Sequence, residues 1–163
     1  MAATNKKGSG KPQERRSVAR NRRARHDFHI VSELECGIAL LGTEVKSLRG
    51  GQCSLQEAFV RIDDGELWLM RAHIPEYVFG NAMNHEPLRQ RKLLAHRSEI
   101  RKWEKLLKER GTTAVPLEVY FQGSKVKVLV ALVTGKKQHD KRAAVKERQD
   151  KREIDRAFAR RDR

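Results

Sequence analysis

The sequence predicts a mainly β protein: a small antiparallel barrel, closed or nearly closed, with about three helices and a basic tail. Short alternating apolar segments recur through the middle of the 163-residue chain, with Gly- and Asp-containing turns between them. These segments do not alternate with long helices, as the strands of a parallel sheet would. The excess positive charge lies almost entirely outside this middle segment, which favours one small neutral domain with two cationic ends.

The first half of the domain should contain a long strand followed by a short helix. Order is expected to begin near residues 21–27. The apolar alternation over 28–41 predicts a strand, with a bulge or sharp bend at Gly37. A helix is expected over 43–49, with Thr43 as its N-cap.

A hairpin is expected next. Residues 58–62 and 67–74 alternate, and the Asp64-Gly65 pair between them is a strong signal for a tight turn. The polar segment 75–88 that follows predicts an irregular loop, which is longer than most connections.

The clearest helix is expected over 98–110, with Ser98 as its N-cap and one apolar stripe. Two more strands, over 114–121 and 126–133, complete the domain. At least five strands in so short a segment favour a closed antiparallel barrel of the oligonucleotide-binding type.

Fourteen of the fifteen excess positive charges lie at the two ends of the chain. We therefore expect a disordered basic arm over 1–17, the barrel over 18–134, and a basic tail over 135–163 that is disordered alone and helical when bound. The sequence has neither a membrane-span candidate nor a secretory signal, and its two cysteines cannot form a disulfide framework. A cytoplasmic protein that binds a polyanion, most simply a nucleic acid, is expected.

Metal binding and catalysis are weaker alternatives. His26, His29, Cys36 and Cys53 are possible zinc ligands, but their spacing lacks a CxxC pair, and no metal or cofactor is expected. An RNA-processing enzyme would need two proton-transfer groups near a phosphate. The candidates for such groups are His26-Asp27, His73 and His85-Glu86.

Four segments closely resemble the SsrA-binding protein family, also called small protein B (SmpB), and their order and spacing agree over about residues 18–163. They are NRRARHDFHI (21–30), ECGIALLGTEVKSLRGG (35–51), RKLLAHRSEI (91–100) and GKKQHDKR (135–142).

The resemblance implies an oligonucleotide-binding-like barrel and a noncatalytic role in bacterial trans-translation. Members of the family bind the tRNA-like domain of transfer-messenger RNA and deliver it to stalled 70S ribosomes. Their C-terminal tail occupies the vacant decoding centre and mRNA channel, where it meets small-subunit rRNA. The resemblance also implies a monomer, no membrane association, and possible indirect association with alanyl-tRNA synthetase and elongation factor Tu. A general structured-RNA or ribosome-binding protein remains an alternative.

The matching positions imply two sets of site residues. Lys127, on the face of its strand opposite Val126 and Val128, is expected to be free to meet phosphate. Glu35 could accept a hydrogen bond from a base edge or orient a neighbouring arginine, and Leu94 could pack under a base or serve the core. The transfer-messenger RNA set is Asn21, Arg22, Glu35, Leu94 and Lys127, and the ribosome set is Gly135, Lys136, Lys137, His139, Asp140, Lys141 and Arg142.

Overall fold

The computed structural model describes residues 15–80 and 84–136, which form seven strands and three helices. Every strand pairing among them is antiparallel. In chain order the elements are β1 (Arg15–Arg20), α1 (Arg22–Asp27), β2 (Phe28–Ile38), α2 (Gly42–Arg49), β3 (Phe59–Asp63), β4 (Glu66–Met70), β5 (Arg91–Leu94), α3 (Arg97–Leu107), β6 (Thr112–Gln122) and β7 (Lys125–Gly135).

The strand pairings run in a ring. Neighbours follow the order β6-β3-β4-β5-β2-β7, and β7 pairs again with β6. β7 lies along the whole of β6, whereas β3 pairs with β6 at Ala114 and β1 pairs with the other end of it, from Glu118 to Gln122. The predicted fold class, a mainly β antiparallel protein of the oligonucleotide-binding type, is confirmed.

The main core fills the inside of this ring. Val128, Val130 and Leu132 of β7 alternate into it and are fully buried, as the sequence pattern predicts. A smaller cluster lies on the opposite face of the same strand, where Ala24 of α1 packs with Ala131 and Val133. The short helix α1 therefore covers one end of the outer face and fixes the position of its arginines.

The chain becomes ordered earlier than expected. Residues 15–17 of the predicted disordered arm belong to β1, and residues 22–27 form the helix α1, which the sequence did not predict. The sequence RRSVAR has no apolar alternation, so β1 owes its strand conformation to its pairing with β6 and not to its own pattern.

Two features of the predicted strands are also corrected. β2 ends at Ile38, and its irregularity lies between Ile30 and Ser32 rather than at Gly37. Gly37 serves a close approach instead, because a Cβ there would lie 3.3 Å from the Cβ of Leu94. Leu94 lies in β5, a four-residue strand that the sequence did not predict.

The Asp64-Gly65 hairpin is confirmed, with φ values of 48° and 72° at its two central residues. Its second strand, β4, ends at Met70 and not at residue 74.

The predicted helix caps are wrong. The N-cap residues are Leu41 for α2 and His96 for α3, not Thr43 and Ser98. In each helix a first-turn glutamate caps the backbone. The Leu41 N–H donates to Glu44 at 2.6 Å, and the His96 N–H donates to Glu99 at 3.0 Å. α3 ends at Leu107, three residues before the expected end.

Candidate nucleic-acid interface

Three of the five residues predicted to bind transfer-messenger RNA meet on the outer face of the ring. The strand register places Gly37 between Leu94 of β5 and Lys127 of β7, and Lys127 is paired in turn with Tyr120 of β6. Glu35 lies two residues before Gly37 and so on the same face. Leu94 is 53% exposed, which favours its predicted place under a base over a place in the core.

Glu35 is held from two sides. Its Oε1 accepts a hydrogen bond from the Lys127 ammonium, and its Oε2 accepts one from the Tyr120 hydroxyl. The hydrogen bond from Lys127, followed by that from Tyr120, lowers the pKa of the Glu35 carboxyl below its usual value. Lys127 is therefore an ion-pair partner of Glu35 and not an unpaired cation. Its ammonium has three N–H donors, so its contact with phosphate stays a prediction. The hydrogen-bond partners of Glu35 are thus a lysine and a tyrosine, not the arginine that was one of the two expectations.

Sequence reasoning missed Tyr120. Its side chain is 1% exposed, although its hydroxyl faces the site, because the Arg15 guanidinium covers its ring at 3.8 Å from the ring centre. Burial, together with the hydrogen bond to Glu35, raises the pKa of Tyr120 to about 12, so the hydroxyl stays protonated and donates. The alternation of β6 marked Tyr120 only as a strand residue.

Asn21 and Arg22 border the same face from α1. The Asn21 Oδ1 accepts from the Ala24 N–H at 3.1 Å and its Nδ2 donates to the Leu55 carbonyl at 3.2 Å, so Asn21 shapes the helix start. The Arg22 side chain is exposed. Both residues line an open cleft of about 620 Å³ together with Leu129, the residue paired with Glu35 across the strands.

The acidic residues of this face all have cationic partners. Glu33 pairs with Arg25 at 3.3 Å, and Glu118 pairs with Arg15 at 2.7 Å and Arg20 at 3.0 Å. The carboxylates are thus compensated, while the exposed arginines around them keep the local field positive. A polyanion can approach such a surface without meeting an uncompensated negative charge.

The start of the predicted ribosome-binding tail is anchored to α1. Gly135 is the last residue of β7 and pairs with Phe28. The Lys136 N–H donates to the Asp27 carbonyl at 3.2 Å, and its ammonium donates to the Arg25 carbonyl at 3.3 Å. The remaining predicted residues, Lys137, His139, Asp140, Lys141 and Arg142, lie outside the described residues.

The candidates for catalysis and metal binding are placed differently. His85 is buried, with Nε2 3.1 Å from the Ile74 carbonyl and Nδ1 2.9 Å from the Thr43 hydroxyl. Both ring nitrogens therefore have internal partners, so His85 is a structural residue. Within residues 15–80 and 84–136, no three His, Cys, Asp or Glu side chains are grouped as metal ligands. Burial raises the pKa of the Cys36 thiol to about 12.

Comparison with known proteins shows the family of this chain. A family model described as "SmpB protein" matches residues 18–160. The chain belongs to the SmpB family. Curated relatives of this SmpB-family chain include the SsrA-binding proteins of Kineococcus radiotolerans and Thermobifida fusca. The first is 53% identical over 90% of this chain and 94% of its own length, and the second is 51% identical over 96% and 98%.

A solved structure is also similar to this SmpB-family chain. It is described as "tmRNA-SmpB: a journey to the center of the bacterial ribosome", with a TM-score of 0.63 and 44% sequence identity. The match covers 78% of this chain and 93% of that one. The family resemblance that the four sequence segments suggested is confirmed.

Proposed function

We propose that this protein is an RNA-binding factor of trans-translation, which binds the tRNA-like domain of transfer-messenger RNA and delivers it to stalled ribosomes. The observation that carries the proposal is the cross-strand row on the outer face of the ring. There an exposed leucine, a compensated carboxylate and the cations around them lie side by side. The membership of the chain in the SmpB family, and its similarity to SsrA-binding proteins, support the same proposal.

The row, together with Arg22 of the nearby helix α1, offers three kinds of contact that proteins make with RNA. Leu94 provides an apolar platform for an unstacked base, Glu35 provides an acceptor for a base N–H, and Arg22 provides a charge for phosphate. Asn21 acts through the helix that it caps. Because Lys127 compensates Glu35, we assign it to the support of that acceptor as well as to the positive field.

The tail is the proposed second site. It begins at Gly135 and Lys136, next to α1, and continues with the cationic segment of Lys137, His139, Asp140, Lys141 and Arg142. Lysines and arginines follow rRNA backbone, and a histidine ring can stack on a base in the decoding centre. The tail would occupy the vacant decoding centre and mRNA channel while the barrel holds the transfer-messenger RNA.

The protein is proposed to act without catalysing a reaction, as a cytoplasmic monomer. The burial of His85 removes one candidate acid or base from contact with RNA. In the described residues no helix is long and apolar enough to cross a bilayer. Alanyl-tRNA synthetase and elongation factor Tu would be met only indirectly, through the RNA.

Binding of the isolated tRNA-like domain tests the proposal. We expect Lys127→Ala to weaken binding about tenfold, because Glu35 is left as an uncompensated charge beside RNA. Lys125→Ala, which removes an exposed lysine from the same strand, is the matched control and should change affinity less than about threefold. The measurement is a titration at several salt concentrations, with bulk tRNA as competitor.

Two results would contradict the proposal. Equal affinity for bulk tRNA would favour the alternative of a general structured-RNA-binding protein. Cleavage of labelled RNA by the purified protein would favour an RNA-processing enzyme.

A further inference from the structure

We propose that Tyr120 is a positioning residue for RNA recognition, whose hydroxyl fixes the Glu35 carboxylate so that it accepts a hydrogen bond from a nucleobase N–H. This inference rests on the proposed function and adds to it a residue that the family motifs do not mark. It also explains how a carboxylate can serve a surface that binds RNA.

The geometry leaves Glu35 little freedom. One carboxylate oxygen is bound to the Lys127 ammonium and the other to the Tyr120 hydroxyl, and these two partners lie on neighbouring strands. Each carboxylate oxygen has two lone pairs, so each can still accept one further hydrogen bond from outside. With both oxygens held, the remaining lone pairs point in fixed directions. The carboxylate is preorganised to meet the N–H edge of a base.

Tyr120 can play this part because it is itself immobile. Its ring is buried in the wall of the sheet, under the Arg15 guanidinium, and Arg15 is in turn held by Glu118 at 2.7 Å. Arg15 belongs to β1, one of the two strands that the sequence did not predict. β1 thus supports Glu35 indirectly, because Arg15 covers the ring of Tyr120 and Tyr120 donates to Glu35.

The polar groups that act on Glu35 come from three strands. Lys127 of β7 is the closest, Tyr120 of β6 donates while neutral, and Arg15 of β1 contributes at longer range. Leu94, the residue that β5 contributes to the site, has no charge. All three groups lower the pKa of Glu35, and together they outweigh the opposing effect of burial, so the pKa of the carboxyl lies below its usual value.

Tyr120→Phe tests the inference because it removes the hydroxyl and keeps the buried ring. The Glu35 carboxylate is 42% exposed, so water can replace the lost donor and the fold should persist. The matched control is Tyr77→Phe, since the chain has two tyrosines. We expect affinity for the tRNA-like domain to fall about tenfold for Tyr120→Phe and to stay unchanged for the control.

Two readouts separate positioning from a structural effect. In a double-mutant cycle, Tyr120→Phe should add less than about twofold to the loss already caused by Glu35→Gln, because both act on one contact. In acid, binding by Tyr120→Phe should begin to fail at a higher pH than binding by the wild type, because loss of the donor raises the pKa of Glu35. Glu35→Gln should lack this acid-dependent loss.

The outcomes can be told apart. If the wild type does not prefer the tRNA-like domain to bulk tRNA, the proposed function fails. If the wild type shows that preference but Tyr120→Phe binds equally well, or if its effect adds in full to that of Glu35→Gln, the positioning role alone is overturned. A melting temperature of Tyr120→Phe within a few degrees of the wild type shows that the fold is intact. If the melting temperature is lower, the double-mutant cycle with Glu35→Gln decides between positioning and a structural effect.

Discussion

At the scale of single residues, a buried ion pair links separate parts of the fold. The carboxylate of Glu44 in α2 is fully buried and accepts hydrogen bonds from Arg91 at 2.8 Å, from Arg89 at 2.5 and 2.7 Å, and from the Leu41 N–H. Arg91, also fully buried, donates to the carbonyls of Ala72 and Pro87 as well. One cluster therefore ties α2 to β5 and to the segment before it.

Breaking this pair should destabilise the protein strongly. We expect Glu44→Gln to lower the free energy of unfolding by roughly 3–5 kcal/mol, because it leaves the Arg91 guanidinium buried without its counter-charge. The control is Glu66→Gln, which breaks an ion pair with Lys92 whose side chains are 42% and 39% exposed, and should cost less than about 1 kcal/mol. Denaturant titration measures both. Similar losses in the two variants would contradict the account.

The same carboxylate gives stability a defined dependence on pH. Burial by itself raises the pKa of Glu44. The hydrogen bonds from Arg89, the Leu41 N–H and Arg91, together with the positive charge of Arg91, lower it by more, so its pKa in the folded state lies below the usual value. Its contribution is therefore complete above the unfolded value of about 4.3 and is lost as pH falls through the folded one. Glu44→Gln should accordingly show a flatter loss of stability below about pH 4.3 than the wild type.

At the scale of elements, β1 does more than its sequence suggests. It adds to β6, and it carries the arginine that covers Tyr120. The neighbouring Arg16 points elsewhere and donates to the Arg49 carbonyl at 2.9 Å. Adjacent arginines on one strand thus have different roles.

Because Arg15 and Arg16 have different contacts, substitutions of these two residues form a matched pair of variants. Arg15→Gln and Arg16→Gln each remove one positive charge from β1, but only the first uncovers Tyr120 and releases one of the cations that hold Glu118. We expect Arg15→Gln to weaken binding of the tRNA-like domain by about threefold more than Arg16→Gln. The two affinities should be compared at the same salt concentration. Equal losses would mean that β1 contributes charge alone.

The sequence predicted those elements whose signal is local. The Asp64-Gly65 turn and the alternation of β7 need nothing from elsewhere in the chain, and both are confirmed. β1 and β5 were missed because they are strands by virtue of their neighbours. The partnership of Tyr120 with Glu35 was missed for the same reason, since it spans 85 residues and depends on the register of three strands.

At the scale of the whole molecule, the charge divides between a barrel and its ends. Residues 26–134 are nearly neutral, yet they carry the row in which Glu35, Leu94 and Lys127 meet. The family resemblance named these three residues singly, whereas their meeting in one row and the ion pair of Glu35 with Lys127 required the structure. Lys136, the last residue that the structure describes, is tied to α1 by two hydrogen bonds.

The central claim is that the two sites act separately, the barrel on transfer-messenger RNA and the tail on the ribosome. A protein that ends after Lys136 keeps the contacts of β7 with α1 and removes the rest of the tail. We predict that it binds the tRNA-like domain with an affinity within about twofold of the full chain, since the proposed contacts all lie on the barrel. On stalled ribosomes it should fail to support tagging of the nascent chain. Tagging by the truncated protein, or loss of its RNA binding, would contradict the account.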